Sequence, residues 1–158
     1  MVRVEKQIFF GKQNIPWKEV ERYMKRYIGE KYVVQKYNDE IIIPSNFPNE
    51  YIASKYSQSL KGGLAKTKAN VSQVIGELIR SAINRRFVEN KEEKHKKDAS
   101  KGWYRYDVFF EVSVKGNSDD EIRWNRYRGT LIVRLNEKGM YLHDLINIKK
   151  EARTPLES

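Results

Sequence analysis

The sequence predicts an α+β domain in which a long amphipathic helix covers a C-terminal antiparallel β-meander, after an N-terminal helix and a β-hairpin. Three observations carry that expectation. Residues Trp103–Val114, Arg123–Leu135 and Met140–Ile148 alternate apolar and polar side chains with the period of half-buried strands. Between Leu64 and Asn90 apolar residues recur instead every three or four positions. The length, 158 residues, suits one domain, and no internal repeat or boundary divides it.

Val4–Phe10 reads as a short apolar strand closed by Gly11. Asn14 or a neighbour can cap a helix with Pro16 in its first turn, where the missing N–H costs nothing. Val20, Met24, Tyr27 and Ile28 recur at helical spacing, and Gly29 ends the element. Lys31–Gln35 and Glu40–Pro44 form a hairpin around Tyr37-Asn38-Asp39. Ser45–Gly63, punctuated by Pro48, Gly62 and Gly63, has no regular period. The long helix follows, with Val71, Val74, Ile75, Leu78, Ile79, Ala82, Ile83, Arg86 and Phe87 on its core side. Gly76 within it signals close packing on a neighbour.

In the meander, Tyr106, Val108, Phe110, Val112 and Val114 point one way and Trp103, Arg105, Asp107, Phe109 and Glu111 the other. Gly116–Asp120 and Glu137-Lys138-Gly139 are the turns, and the tail from Lys149 is polar. The outer face collects Arg105, Arg128, Thr130, Arg134 and His143 with Phe109 and Tyr141.

The formal net charge is +10 and the pI about 9.6, a surplus that favours polyanions as partners. Ten tyrosines and three tryptophans lie among the cations, and aromatic rings stack on unpaired bases. Nucleic acid is therefore the expected partner, RNA ahead of DNA. No apolar run is long enough to span a bilayer, and the N-terminus lacks a signal-peptide cleavage site, so a cytoplasmic protein is expected unless a dedicated secretion system exports it. The absence of cysteine removes disulfides and thiolate chemistry. No metal-ligand spacing, GxSxG elbow or cofactor motif is present; Asp119-Asp120-Glu121 reads as turn charge. Gly62-Gly63 with Lys66 and Lys68 lacks phosphate-loop spacing, but a helix starting there could still attract a phosphate.

Metal-independent RNA cleavage needs a base for the 2′-hydroxyl, an acid for the leaving oxygen and cations on the charged phosphorane. The chain has two histidines. His95 lies beside Lys94, Lys96 and Lys97, a setting that favours a neutral base, and His143 lies on the basic strand face. Arg105 and Arg134 are candidates to hold the phosphate and Tyr104 to orient or stack on the substrate. Lys66, Lys68, Lys94, Lys96, Lys97, Trp103 and Arg128 are candidates to bind the strand.

Several blocks also resemble a known group: Ser54-Lys55-Tyr56 with Leu60, Ala65-Lys66-Thr67-Lys68-Ala69-Asn70, Lys94-His95 with Asp98-Ala99, Gly102-Trp103-Tyr104-Arg105-Tyr106-Asp107, and Tyr141-Leu142-His143-Asp144 with Asn147-Ile148-Lys149-Lys150-Glu151. In order, from about Ile41 to Glu151, they resemble the third type of large polyvalent-protein-associated domain of bacterial phage and mobile-element proteins. The resemblance implies company with barnase/EndoU/colicin/RelE-like nucleases, whose helices precede an antiparallel sheet, and it brings no catalytic set. His95, Trp103, Tyr104, Arg105 and Asp107 match its motifs, whereas His143 stands where a tyrosine is expected.

Three functions stay open at this point. The domain is a metal-independent, toxin-like ribonuclease with an acidic inhibitor. It is a non-catalytic module for nucleic acid or a phage protein. Or it is an assembly part whose charge serves solubility.

Overall fold

The computed structural model describes residues 1–11, 13–91, 95–115 and 122–151. Its centre is a mixed seven-stranded sheet: β1 (Val2–Val4), β2 (Lys31–Val34), β3 (Asp39–Ile42), β4 (Ile83–Val88), β5 (Gly102–Lys115), β6 (Ile122–Asn136) and β7 (Gly139–Lys150). Strands β5, β6 and β7 pair antiparallel, as do β2 with β3 and β4 with β5. Two pairings are parallel, β1 with β5 and β3 with β7, and give the order β1-β5-β6-β7-β3-β2. The second edge of β5 is shared: β4 runs beside Trp103–Asp107 and β1 beside Phe110–Val112.

The helices are short: α1 (Trp17–Met24), α2 (Phe47–Ala53), α3 (Lys55–Ser59), α4 (Gly62–Val71) and α5 (Ile75–Ser81). The expected fold, one long amphipathic helix over an antiparallel meander, is therefore corrected: no long helix forms, and the antiparallel β5–β6–β7 is the middle of a larger, mixed sheet. Leu64–Asn90 is not one helix. It breaks into a 3-10 turn at Ser72–Val74, where the Ser72 hydroxyl donates back to the Ala69 carbonyl at 2.6 Å. It ends at Ser81 and leaves as β4. Val71, Ile75, Leu78, Ile79 and Ala82 do face the core, but Arg86 and Phe87 lie on a strand exposed along most of its length. Pairing decided this: the half of β5 beyond β1 would otherwise present unpaired N–H and C=O groups.

The segment expected to be irregular, 45–63, holds α2 and α3. The strand expected over Val4–Phe10 stops at Val4, because Asn70 takes the next backbone groups. Its Oδ1 accepts from the Ile8 and Phe9 amides at 2.8 and 3.0 Å, and its Nδ2 donates to the Phe9 carbonyl at 3.0 Å. The Gly116–Asp120 turn, Asp119-Asp120-Glu121 and the tail beyond Glu151 lie outside the described residues.

The core joins the inner face of the sheet (Tyr106, Val108, Phe110, Leu131, Val133, Leu142) to Phe47, Tyr51, Ile75, Leu78 and Ile79. Among the described residues no helix is long and apolar enough to cross a membrane.

Candidate functional site: a cleft lined by both histidines

On the other face of β5 and β6, closed on one side by the end of β4 and the turn after it, lies a cleft of about 610 Å³. Both histidines line it, together with Trp103, Arg105 and Ile132 from the sheet and Phe87–Lys91 from the rim.

Local structure explains how residues so far apart in sequence meet. Trp103 and Arg105 alternate with the buried Tyr106 and Val108, so strand period alone puts them on this face. His143 is the extra residue of a bulge: Ile132 pairs with Asp144 and Val133 with Leu142, leaving His143 without an opposite number. His95 is carried by a pinned turn. Its carbonyl accepts from the Asn90 side chain at 3.0 Å and the Ala99 amide at 2.9 Å, while Asn136 donates to the Asp98 carbonyl at 2.8 Å.

The rings of His95, Trp103 and His143 form an edge-to-face triangle. Centroids are 5.1 Å apart for His95–Trp103, 5.2 Å for His95–His143 and 4.9 Å for Trp103–His143. The two imidazoles keep 13% and 12% of their side chains exposed, at the cleft floor. Each has a carboxylate. His143 Nε2 is 3.2 Å from Glu50 Oε1 on α2, and His95 Nδ1 is 3.6 Å from Asp98 Oδ2. Asp98 also lies 3.5 Å from Arg134 Nη1, so its charge is divided. Among the described residues no carboxylate pairs with Nε2 of His95 or Nδ1 of His143.

The two arginines expected to hold phosphate differ. Arg134 is buried, donates to Asn46 Oδ1 at 3.2 Å and faces Asp98; burial holds its guanidinium below the ordinary arginine value, against the pull of Asp98 and Glu50. It supports the site from behind. Arg105 lines the cleft, makes no hydrogen bond or ion pair with a described residue, and has its Nε buried without a partner.

Other expected site residues lie elsewhere. Tyr104 faces the core side of β5, edge-on to Tyr106 at 6.1 Å and beneath the Arg85 guanidinium at 4.7 Å. Lys66 approaches the Phe10 ring, and Arg128, though exposed, is not part of the cleft wall. Lys68 requires a correction: with 0% of its side chain exposed it cannot reach a phosphate. Its ammonium instead donates to Asp144 at 2.7 Å and to Ser57, between the rings of Tyr51 and Tyr56. Lys96 and Lys97 are exposed in the turn that carries His95, and Lys94 lies outside the described residues. Glu50, Asp98, Phe87 and Lys91 were not among the site residues expected from the sequence. Only Asp98, three residues after His95, left a signal there.

No protein-family model, curated protein or solved structure matches the chain.

Proposed function

We propose that the cleft binds single-stranded RNA and cleaves it by metal-independent acid–base chemistry, in the phage or mobile-element setting that the sequence resemblance implies. The observation that carries this reading is the meeting of both histidines, 5.2 Å apart, in a cleft that also holds Arg105, which pairs with no described residue. Neutral His95 takes the proton of a 2′-hydroxyl, and O2′ forms a bond to the adjacent phosphorus. The P–O5′ bond breaks as His143, facing the Glu50 carboxylate, gives its proton to the leaving oxygen. The products are a 2′,3′-cyclic phosphate and a free 5′-hydroxyl. Arg105 neutralises the charge that develops on the phosphorane oxygens, and Trp103 holds both rings in place.

The test is incubation of labelled single-stranded RNA with the purified protein in EDTA, beside DNA of the same sequence. Cleavage is expected of RNA alone, because DNA has no 2′-hydroxyl. His95→Ala and His143→Ala each lower the rate by about 10²–10⁴. Cleavage unchanged in both variants, or equal cleavage of DNA, overturns the assignment.

One observation favours a second reading. The three rings pack edge-to-face on one another, and His143 has the Glu50 carboxylate 3.2 Å away, a packing arrangement that a non-catalytic RNA-binding module would also have. That module binds RNA with an affinity that falls steeply with salt and leaves it whole.

A further inference from the structure

Lys68 is sealed in the core: its side chain is 0% exposed and that of its partner Asp144 3%. A buried ion pair contributes little net stability, so stability alone does not account for it. Its hydrogen bonds show what it joins. The ammonium donates to Asp144 Oδ1 at 2.7 Å and to the Ser57 hydroxyl on α3. Ser57 in turn donates to the Tyr51 carbonyl on α2, and the Tyr51 hydroxyl donates back to the Lys68 carbonyl at 2.6 Å. Asp144 also accepts from the Leu145 amide at 2.8 Å, which fixes its carboxylate beside the β7 bulge. Tyr51 follows Glu50 in the chain, and Asp144 follows His143. One closed network therefore grips the neighbour of each member of the Glu50–His143 pair, whose atoms stand 3.2 Å apart across two elements.

From this geometry we infer that Lys68, through Asp144 and Ser57, is a positioning residue that holds the His143 imidazole against the Glu50 carboxylate. The task suits hydrogen bonds: apolar contacts let α2 slide along β7, whereas a buried, paired ammonium accepts few arrangements. A bulge re-aims the residue it presents, so a tie at the next residue fixes where the His143 ring points. Arg105 and the Asp98–Arg134 pair, the other charged groups near the two imidazoles, lie on β5, β6 and the His95 turn. Among the described residues Lys68 bonds to none of these three groups. The consequence for cleavage rests on the acid–base reading of the cleft; the positioning itself is measured without RNA.

The test uses Lys68→Met/Asp144→Leu, which replaces both charges with apolar groups of similar size, and Ser57→Ala, which cuts only the link to α2. The readout is the titration of the His143 Cε1–H signal by NMR, with and without Glu50→Gln. In the wild type Glu50→Gln is expected to lower the His143 midpoint, because a carboxylate at 3.2 Å favours the imidazolium. In the double variant that difference is expected to be lost, and in Ser57→Ala to shrink. A network that only stabilised the fold would change the urea midpoint and leave the Glu50 effect intact. Binding of an 8-mer of 2′-O-methyl oligouridylate, which cannot be cleaved through its 2′ oxygen, is expected to be unchanged. Cleavage of unmodified RNA by the double variant is expected to fall by about 10²-fold, as for a misplaced proton donor. No Glu50 effect on His143 in the wild type, or one as large in both variants, overturns the positioning role whatever happens to RNA. If the effect is lost in the variants but the wild type cleaves no RNA, the positioning role stands and the acid–base reading falls.

Discussion

Lys68 and Asp144 are ionisable groups that the fold keeps from water, beside the bulge that presents His143. Burial pulls the Lys68 ammonium below the usual lysine value and pushes the Asp144 carboxyl above the usual aspartate value. In both, the mutual attraction opposes the shift without reversing it, so desolvation is the larger effect. Such a pair contributes little net stability, yet removing one partner strands the other charge in the core. We expect Lys68→Met alone to cost about 3–5 kcal/mol in urea unfolding, and Asp144→Leu alone a similar amount. The double variant should recover most of that loss. A double variant no better than the worse single variant would show that the pair stabilises as ions.

At the scale of elements, alternation was a faithful guide and helical spacing was not. Tyr106, Val108, Phe110 and Val112 face the core as their period requires, and the same period should have set Tyr104 apart from Trp103 and Arg105. Ile83 and Phe87, four apart, satisfy a helical stripe, but whether they join a helix or a strand was settled by the free edge of β5, far along the chain. The histidines were legible because the chain has only two of them. The burial of Lys68 was not, since its partner lies 76 residues away, and neither was Glu50, in a segment without period. Gly76 did announce close packing: a Cβ there would collide with the ring of Tyr32 on β2. Alanine would add about 1 kcal/mol of helix propensity and cost about 1–3 kcal/mol in overpacking. Gly76→Ala should therefore lower the urea midpoint, and Tyr32→Ala in the same chain should remove the loss. A raised midpoint for Gly76→Ala would mean that the ring moves aside freely.

For the whole molecule the question is where the net charge of +10 is available. Arg3, Arg85, Arg86, Arg134 and Lys68 are tied to carboxylates. Among the described residues no carboxylate ties Arg105 in the cleft, Lys91 at its rim, or Lys96 and Lys97 in the turn that carries His95. On the proposed function, a polyanion entering the cleft would meet cations that no described residue holds. The most direct measurement follows the imidazole Cε1–H signals of His95 and His143 by NMR while the 2′-O-methyl uridylate 8-mer is added. Both signals should move together with one dissociation constant, and Arg105→Ala should weaken that constant. Binding of the 8-mer that leaves both signals in place would put the nucleic acid elsewhere on the surface and contradict the account.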